Sequence, residues 1–327
     1  MGKRYWGYRI DVNHIPFFRA ELENGRLRQG WGWDTAQDLR NLKADWGAKR
    51  NLPIFQRVKK GDILLVPRLP TWNEVAILEA TADFSTGYQF EIDQKLNDYG
   101  HIFPAYKIKQ FVRTNENIPG KIRNSIKSIS RFWSMDHCSQ EIEDVLQTEN
   151  QNLRDHTSFS NKFLNTISDS FIQSFDSKKF SSQIYQKLTH GFCNEEWEYA
   201  LVEGLRKLFP EPILVERTGG ITEAEHGTDI IIKIPGLLNY QYVIAIQVKD
   251  YNGYVNEEPL KQLSKADSYW NNENTKLIDK ILLITKSQKQ ENLHLFDNTY
   301  GIKVIFANEL EELLTKIGGS YIGLNIE

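Results

Sequence analysis

From residue 191 onward the chain alternates between two periodicities, and this alternation limits its possible folds more than any other feature. Helical spacing in EEWEYALVEGLRKLF gives way to strand-like ILVERT, TDIIIKI and YVIAIQVKDY. PLKQLSKADSYW then reads as helix, KILLIT and IKVIFA as strands, and ELEELLTKI as a terminal helix. Helix and strand alternating in this way build an α/β domain, a mixed sheet with helices packed on its faces. The chain has 327 residues. Single cores stop growing at about 250–300 residues, so a second domain is expected in front of this one.

The front segment is written differently. YWGYRIDV, GDILLVP, EVAILEATADF and PAYKIKQFV are strand-like runs divided by Gly, Pro and Asn/Asp clusters, which predicts a small β-barrel over residues 1–137. Helices are expected over TAQDLRNLKADWGAKR, capped by Asp34 or Thr35, and over KIRNSIKSISRFW, where Ile122, Ile126 and Ile129 recur at helical spacing. Between the domains, 138–190 turns to Ser, Asn, Gln and Asp. Phe163, Ile167, Phe171 and Phe175 recur every four residues there, as in an amphipathic helical connector.

Charge is distributed unevenly. Residues 1–137 hold 22 Lys+Arg against 15 Asp+Glu, and the remainder 18 against 28. A basic front half suits a polyanion. No apolar run approaches the ~20 residues of a membrane-spanning helix, and the basic start has no apolar stretch behind it to act as a secretory signal. A soluble, cytoplasmic protein is expected, with no membrane partner. The two cysteines, Cys138 and Cys193, lack metal-ligand spacing and read as ordinary thiols. Gly219-Gly220 is a turn, not a phosphate loop.

The chemistry concentrates in HGTDIIIKIPGLLNYQYVIAIQVKDY. Strand alternation puts Gln247 and Lys249 on one face and Ile244, Ile246 and Val248 on the other. A turn around Pro235-Gly236 and Asn239 lets TDIIIKI pair with this strand and brings Asp229 beside Gln247 and Lys249. A hard divalent cation takes oxygen ligands, and Mg²⁺ is held by one or two carboxylates plus water and phosphate. Asp229, the Gln247 amide oxygen and the Val248 carbonyl are therefore the expected metal ligands. Lys249 would orient or deprotonate water and offset charge on a phosphate. His226 reads as a loop histidine near substrate, and Glu216, Glu223 and Glu225 as solvated charges. Lys261 and Gln262 belong to the following helix, within reach of a phosphate or on its plain surface.

An acid on a helix, then GxD, then QxK resembles the PD-(D/E)xK nuclease superfamily, and more narrowly its Mrr-like branch, in which glutamine commonly replaces the second acid. WEYALVEGLRKLF resembles the family's opening helix, VERTGG its first strand and turn, and KILLIT with YGIKVIFANELEELL its closing elements. The resemblance implies a restriction-endonuclease-like mixed sheet over 191–327, Mg²⁺ as cofactor with Mn²⁺ able to substitute, and Glu198 as the helical acid, with Glu203 as runner-up. The sequence departs from the pattern where Thr228 stands before Asp229 and where Gln247 is neutral. The site thus has less negative charge than a two-acid version and suits one Mg²⁺ better than two.

The front segment, with GDILLVP as its firmest element, resembles the PUA-like group that includes the EVE and YTH modules, which implies a barrel with a pocket for a modified or flipped base. Such a pocket needs aromatic faces and polar edges. Trp6, Trp31, Trp33, Trp46 and Trp72 with Arg28, Arg57, Lys59, Lys60 and Arg68 supply them. Tryptophans more often pack in cores. Trp31 and Trp33, in QGWGWD, are expected as pocket walls, with Arg28, Lys59 and Lys60 contacting nucleic acid. Together the resemblances imply a Mg²⁺-dependent restriction-type endonuclease on DNA carrying a modified base, acting as a homodimer. The alternatives are an RNA- or structure-directed nuclease and a non-catalytic binding subunit.

Overall fold

The computed structural model describes residues 2–41, 45–172, 177–220, 223–297 and 300–321. The chain divides into two compact units, Met1–Thr157 and Ser158–Glu327.

In the first unit the strands are β1 (Tyr5–Tyr8), β2 (Arg26–Gln29), β3 (Ile63–Pro67), β4 (Glu74–Ala80), β5 (Gln89–Phe90), β6 (His101–Val112) and β7 (Phe132–Ser134). They run in the order β2-β6-β4-β3-β1-β7, with β5 also on β6. The expected barrel is thus a curled half-barrel, with β2 and β7 at the ends of one strand path. The long β6 makes the curl, since its first residues pair with β2 and β5 and its later ones with β4. A register shift opposite Ile77/Leu78 adds the local twist that a bulge brings.

Both faces of this sheet are buried, which is why ILLV in β3 is a continuous apolar run rather than an alternating one. Leu64, Val66, Ala76 and Leu78 pack into one core with Trp6, Tyr8 and Phe103. Their strand neighbours Ile63, Leu65, Val75 and Ile77 pack into another with Phe111, Ile122 and Ile142.

Two expected helices are shorter than their spacing suggested. Asp34 does cap a turn, with a capping box to Gln37, but the turn ends at Gln37, and the next helix is Trp46–Lys49. Helix Gly120–Ser125 stops before Ile129, which is exposed, and the chain turns into β7 at Phe132. The 138–190 stretch is shared between the units. Helix Ser139–Gln147 places Ile142 and Val145 in the first. Helices Phe159–Ile172 and Ser177–Gly191 place Phe163, Ile167, Phe180 and Ile184 in the second. Phe171 is partly exposed, and Phe175 lies outside the described residues.

The second unit has β8 (Leu214–Arg217), β9 (Ile230–Pro235), β10 (Gln241–Lys249), β11 (Thr275–Ile284) and β12 (Lys303–Ile305), in the order β12-β11-β10-β9-β8. Pairs β8/β9 and β9/β10 are antiparallel, β10/β11 and β11/β12 parallel, so the sheet is mixed. Helices Glu195–Leu208 and Ala307–Tyr321 cover one face through Trp197, Leu201, Leu310 and Leu314 against Ile246 and Val248. On the opposite face Ala245 and Leu282 meet Leu260, Leu263 and Ala266. The single helix expected over PLKQLSKADSYW is broken at Lys265 into Glu258–Ser264 and Ala266–Tyr269. No helix among the described residues is long and apolar enough to cross a membrane.

Candidate functional site

The β9/β10 ladder opens at Asp229. The last registered pair is Ile246↔Ile230, so one step further sets Asp229 against Gln247. There the Asp229 N–H still donates to Ile246 O at 2.9 Å, but the carboxylate takes over from the carbonyl: Asp229 Oδ2 accepts from Val248 N at 2.7 Å. Its main-chain oxygen instead accepts from Thr218 N (2.8 Å) and Gly219 N (3.2 Å) in the turn after β8. The Val248 carbonyl leaves the strand on the same edge as its N–H.

Asp229 is 1% exposed and Gln247 0%. Gln247 Nε2 donates to Gln262 Oε1 at 3.2 Å, so Gln262 holds the amide instead of standing on a plain helix surface. Two oxygens remain, Asp229 Oδ1 and Gln247 Oε1, both buried and without a hydrogen-bond partner. An unpaired buried acceptor costs roughly 1–3 kcal/mol. Burial raises the Asp229 carboxyl to about 7; the Val248 N–H opposes the rise, and the charges of Glu198 and Glu223 add to it.

Glu198, in the first turn of its helix, accepts from Arg217 Nε at 2.8 Å and is 8% exposed. A Cβ on Gly219 would stand 2.5 Å from Glu198 Oε2, so the glycine admits the carboxylate to the turn that also binds Asp229. Burial pushes Glu198 up, against the pull of Arg217. Glu203 lies elsewhere on this helix, its carbonyl accepting from Tyr321. Lys249 Nζ is 3.7 Å from Glu223 Oε1, and these side chains, 18% and 34% exposed, form the open rim of the cluster.

The structure thus gathers Asp229, Gln247, Val248, Glu198 and Lys249 around one ladder end. Arg217 and Glu223 join the cluster without belonging to any spacing motif; Glu223, expected as a solvated charge, stands beside Lys249. His226 is not a loop residue. It ends the short helix Glu223–His226, is 2% exposed and packs on Tyr269 and Trp270. Its Nδ1 accepts from Thr228 N, and burial holds its pKa below the usual range. It therefore shapes the chain ahead of Asp229.

Among the described residues no group of three or more His, Cys, Asp and Glu could hold a metal ion. The donors here are of another kind: one carboxylate, one amide oxygen and one main-chain carbonyl, two of them with an oxygen unsatisfied. That set fits a hard cation which keeps much of its water, as Mg²⁺ does.

In the first unit a cavity of about 750 Å³ is lined by Trp31, Trp33, Arg50, Asp98, Tyr99 and Arg131 among others. Trp31 has φ +69°, a conformation costing a non-glycine residue roughly 1–3 kcal/mol. Its neighbours hold it there. Asp98 accepts from Gly32 N at 2.7 Å and from Trp31 N at 3.4 Å. The Trp31 carbonyl only accepts, so His101 Nε2 is the donor at 2.8 Å, and Nδ1 receives the Tyr88 hydroxyl at 2.7 Å. Burial holds the pKa of His101 low, consistent with that neutral form. A Cβ on Gly47 would lie 2.2 Å from the Trp31 ring, so glycine provides the surface behind it. Arg50 and Arg131 stand 5.5 and 5.7 Å from the ring centroid, and Trp33, 45% exposed, is 5.5 Å away, centroid to centroid.

Trp31 and Trp33 do line a cavity; Arg28 does not. Its guanidinium is buried, pairs with Glu21 and donates to the carbonyls of Glu91 and Tyr99, which leaves it a structural role. Lys59 pairs with Asp83, and the Lys60 amide donates to the same carboxylate; neither lines the cavity. Trp6 is core, donating to Asp62, whereas Trp46 and Trp72 are exposed. The cavity's Arg50 and Arg131 were not anticipated, because each lies at the end of a segment whose helical spacing says nothing about the cavity it comes to line.

No family model matches the chain, and no curated protein matches it. Among solved structures it is distantly similar to the MspJI restriction endonuclease in complex with a 27-mer oligonucleotide. The two are 13% identical over 96% of this chain and 72% of the other, with a TM-score of 0.32, too remote for function to be carried across.

Proposed function

We propose that this chain is a Mg²⁺-supported endonuclease that hydrolyses DNA phosphodiester bonds, directed by a modified base read in the first unit and working as a homodimer to reach both strands. One observation carries the reading: Asp229 Oδ1 and Gln247 Oε1, acceptors from adjacent strands, are buried and unpaired beside Lys249. Asp229, Gln247 and the Val248 carbonyl would hold the ion. When bound, it supplies positive charge to the phosphate and acidifies water.

The chain's own groups do the remainder. Lys249 Nζ, at the rim, orients water and balances charge on the non-bridging oxygens. Glu198, fixed by Arg217, keeps a second carboxyl at the turn that binds Asp229. In the first unit, Trp31 and Trp33 offer π-faces to a base, and Arg50, Asp98 and Arg131 offer polar edges.

The test incubates the purified chain and Mg²⁺ with unmodified, methylated and hydroxymethylated DNA and with matched RNA. DNA should be cut, and Asp229→Ala and Lys249→Ala should each lower the rate by about 10²–10³. Preferential RNA cleavage would favour the RNA-directed alternative. Binding without cleavage by the unaltered chain would favour a non-catalytic subunit, a reading that the neutral Gln247 also suits.

A further inference from the structure

Beside the larger cavity of the first unit lies a second one, of about 180 Å³, bordered by Arg9, Arg68, Arg113, Lys127 and Trp133 among others and by no acidic residue. The two share Arg9, Ile10 and Ile129 as walls. The turn before β4 fixes its two central arginines. Arg68 N donates to Glu74 O at 2.8 Å, and Arg113 N to Asn73 O at 2.9 Å, so consecutive carbonyls hold both backbones. Arg68 has φ +67° and lays its guanidinium 4.2 Å from the centroid of the exposed Trp72 ring.

The nearby Glu74 carboxylate is already engaged, accepting from Thr71 Oγ1 and Gln110 Nε2. Among the described residues neither guanidinium has a hydrogen bond or an ion pair. Burial, and then the charge of Arg68, hold Arg113 below its usual value. Two like charges in a cleft whose described lining holds no carboxylate repel each other, and an anion between them relieves the repulsion. The planar guanidinium fork matches phosphate oxygens.

We infer that Arg68 and Arg113 form a phosphodiester-binding subsite, which takes the backbone phosphate next to a base seated in the adjoining cavity that Trp31 and Trp33 line. The inference rests on the proposed nucleic-acid reading and adds to it a site that positions the strand without selecting the base.

The experiment measures binding, not cleavage. The full chain without divalent ions is titrated by fluorescence polarisation against labelled duplexes carrying unmodified, methylated or hydroxymethylated cytosine, across a range of salt. With Arg68→Gln and Arg113→Gln together, affinity at low salt should fall about 10–100-fold on every probe. The slope of log affinity against log salt should become shallower by about 0.9, the value of one duplex phosphate. The Arg68→Lys/Arg113→Lys pair should keep the slope. Trp31→Ala should keep it too while losing discrimination between the probes. If the Gln pair does not melt cooperatively, Arg68→Gln alone reads the same slope.

An unchanged slope, or a loss confined to one modified base, overturns the subsite and leaves the proposed function standing. Failure of the unaltered chain to bind any probe overturns both.

Discussion

Burial lifts the Asp229 carboxyl to about 7 from an ordinary 3.8, so between those values the folded chain holds a proton that the unfolded chain has released. Stability contributed at this residue therefore falls as pH rises through that window, the reverse of a salt-bridged carboxylate. Asp229→Asn should melt like the unaltered chain near pH 4 and be more stable near pH 8, by at most roughly 4 kcal/mol. Thermal melts at the two pH values check this. Mg²⁺ should raise the melting temperature of the unaltered chain at pH 8 and leave that of Asp229→Asn unmoved, because only the former has a charge for the ion.

A second residue-scale expectation concerns Gly47. Alanine there drives a methyl into the Trp31 ring and should cost about 1–3 kcal/mol by overpacking, read as a lower denaturation midpoint. Asp229, Gln247 and Lys249 were legible because a two-residue strand repeat fixes which side chains share a face. Arg217 and Glu223 reach the cluster from a strand end and a short helix, where no period operates. Arg28 was misread because its type suggests a surface, whereas Glu21 makes its burial tolerable.

At the scale of elements, the cluster exists because the β9/β10 register ends at Ile230↔Ile246, although Asp229 N still donates to Ile246 O at 2.9 Å. The Asp229 side chain then satisfies an amide that the ladder would otherwise have claimed. Trp197 fixes the helix that carries Glu198 against this sheet, fully buried in the core. Trp197→Ala should cost about 3–5 kcal/mol and lower cleavage through misplacement of Glu198, measured as a loss of stability and activity together. Strands in the second unit could be read from sequence because their apolar runs are long and bounded by turn residues. The helices expected over TAQDLRNLKADWGAKR and KIRNSIKSISRFW could not. Their apolar spacing is helical, but tertiary packing sets their ends: Ile122 is buried, whereas Ile129 on the same spacing lies exposed at the cavity walls.

On the scale of the whole molecule, the basic excess of residues 1–137 narrows over the first unit, Met1–Thr157, to 23 Lys+Arg against 20 Asp+Glu. The first unit presents arginines and tryptophans around open cavities. The second buries the Asp229 and Glu198 carboxylates at a ladder end. Trp31→Ala should lower discrimination between modified and unmodified DNA about tenfold, the order of one lost stacking face, while leaving the Mg²⁺-induced rise in melting temperature intact. Asp229→Asn should show the opposite pattern.

Whether Asp229 and Gln247 hold an ion is read directly by anomalous diffraction from crystals of the protein soaked in Mn²⁺. A single strong peak is expected, bounded by Asp229 Oδ1, Gln247 Oε1 and the Val248 carbonyl. A difference map without a peak there, in crystals that bind Mn²⁺ elsewhere or not at all, would contradict that expectation.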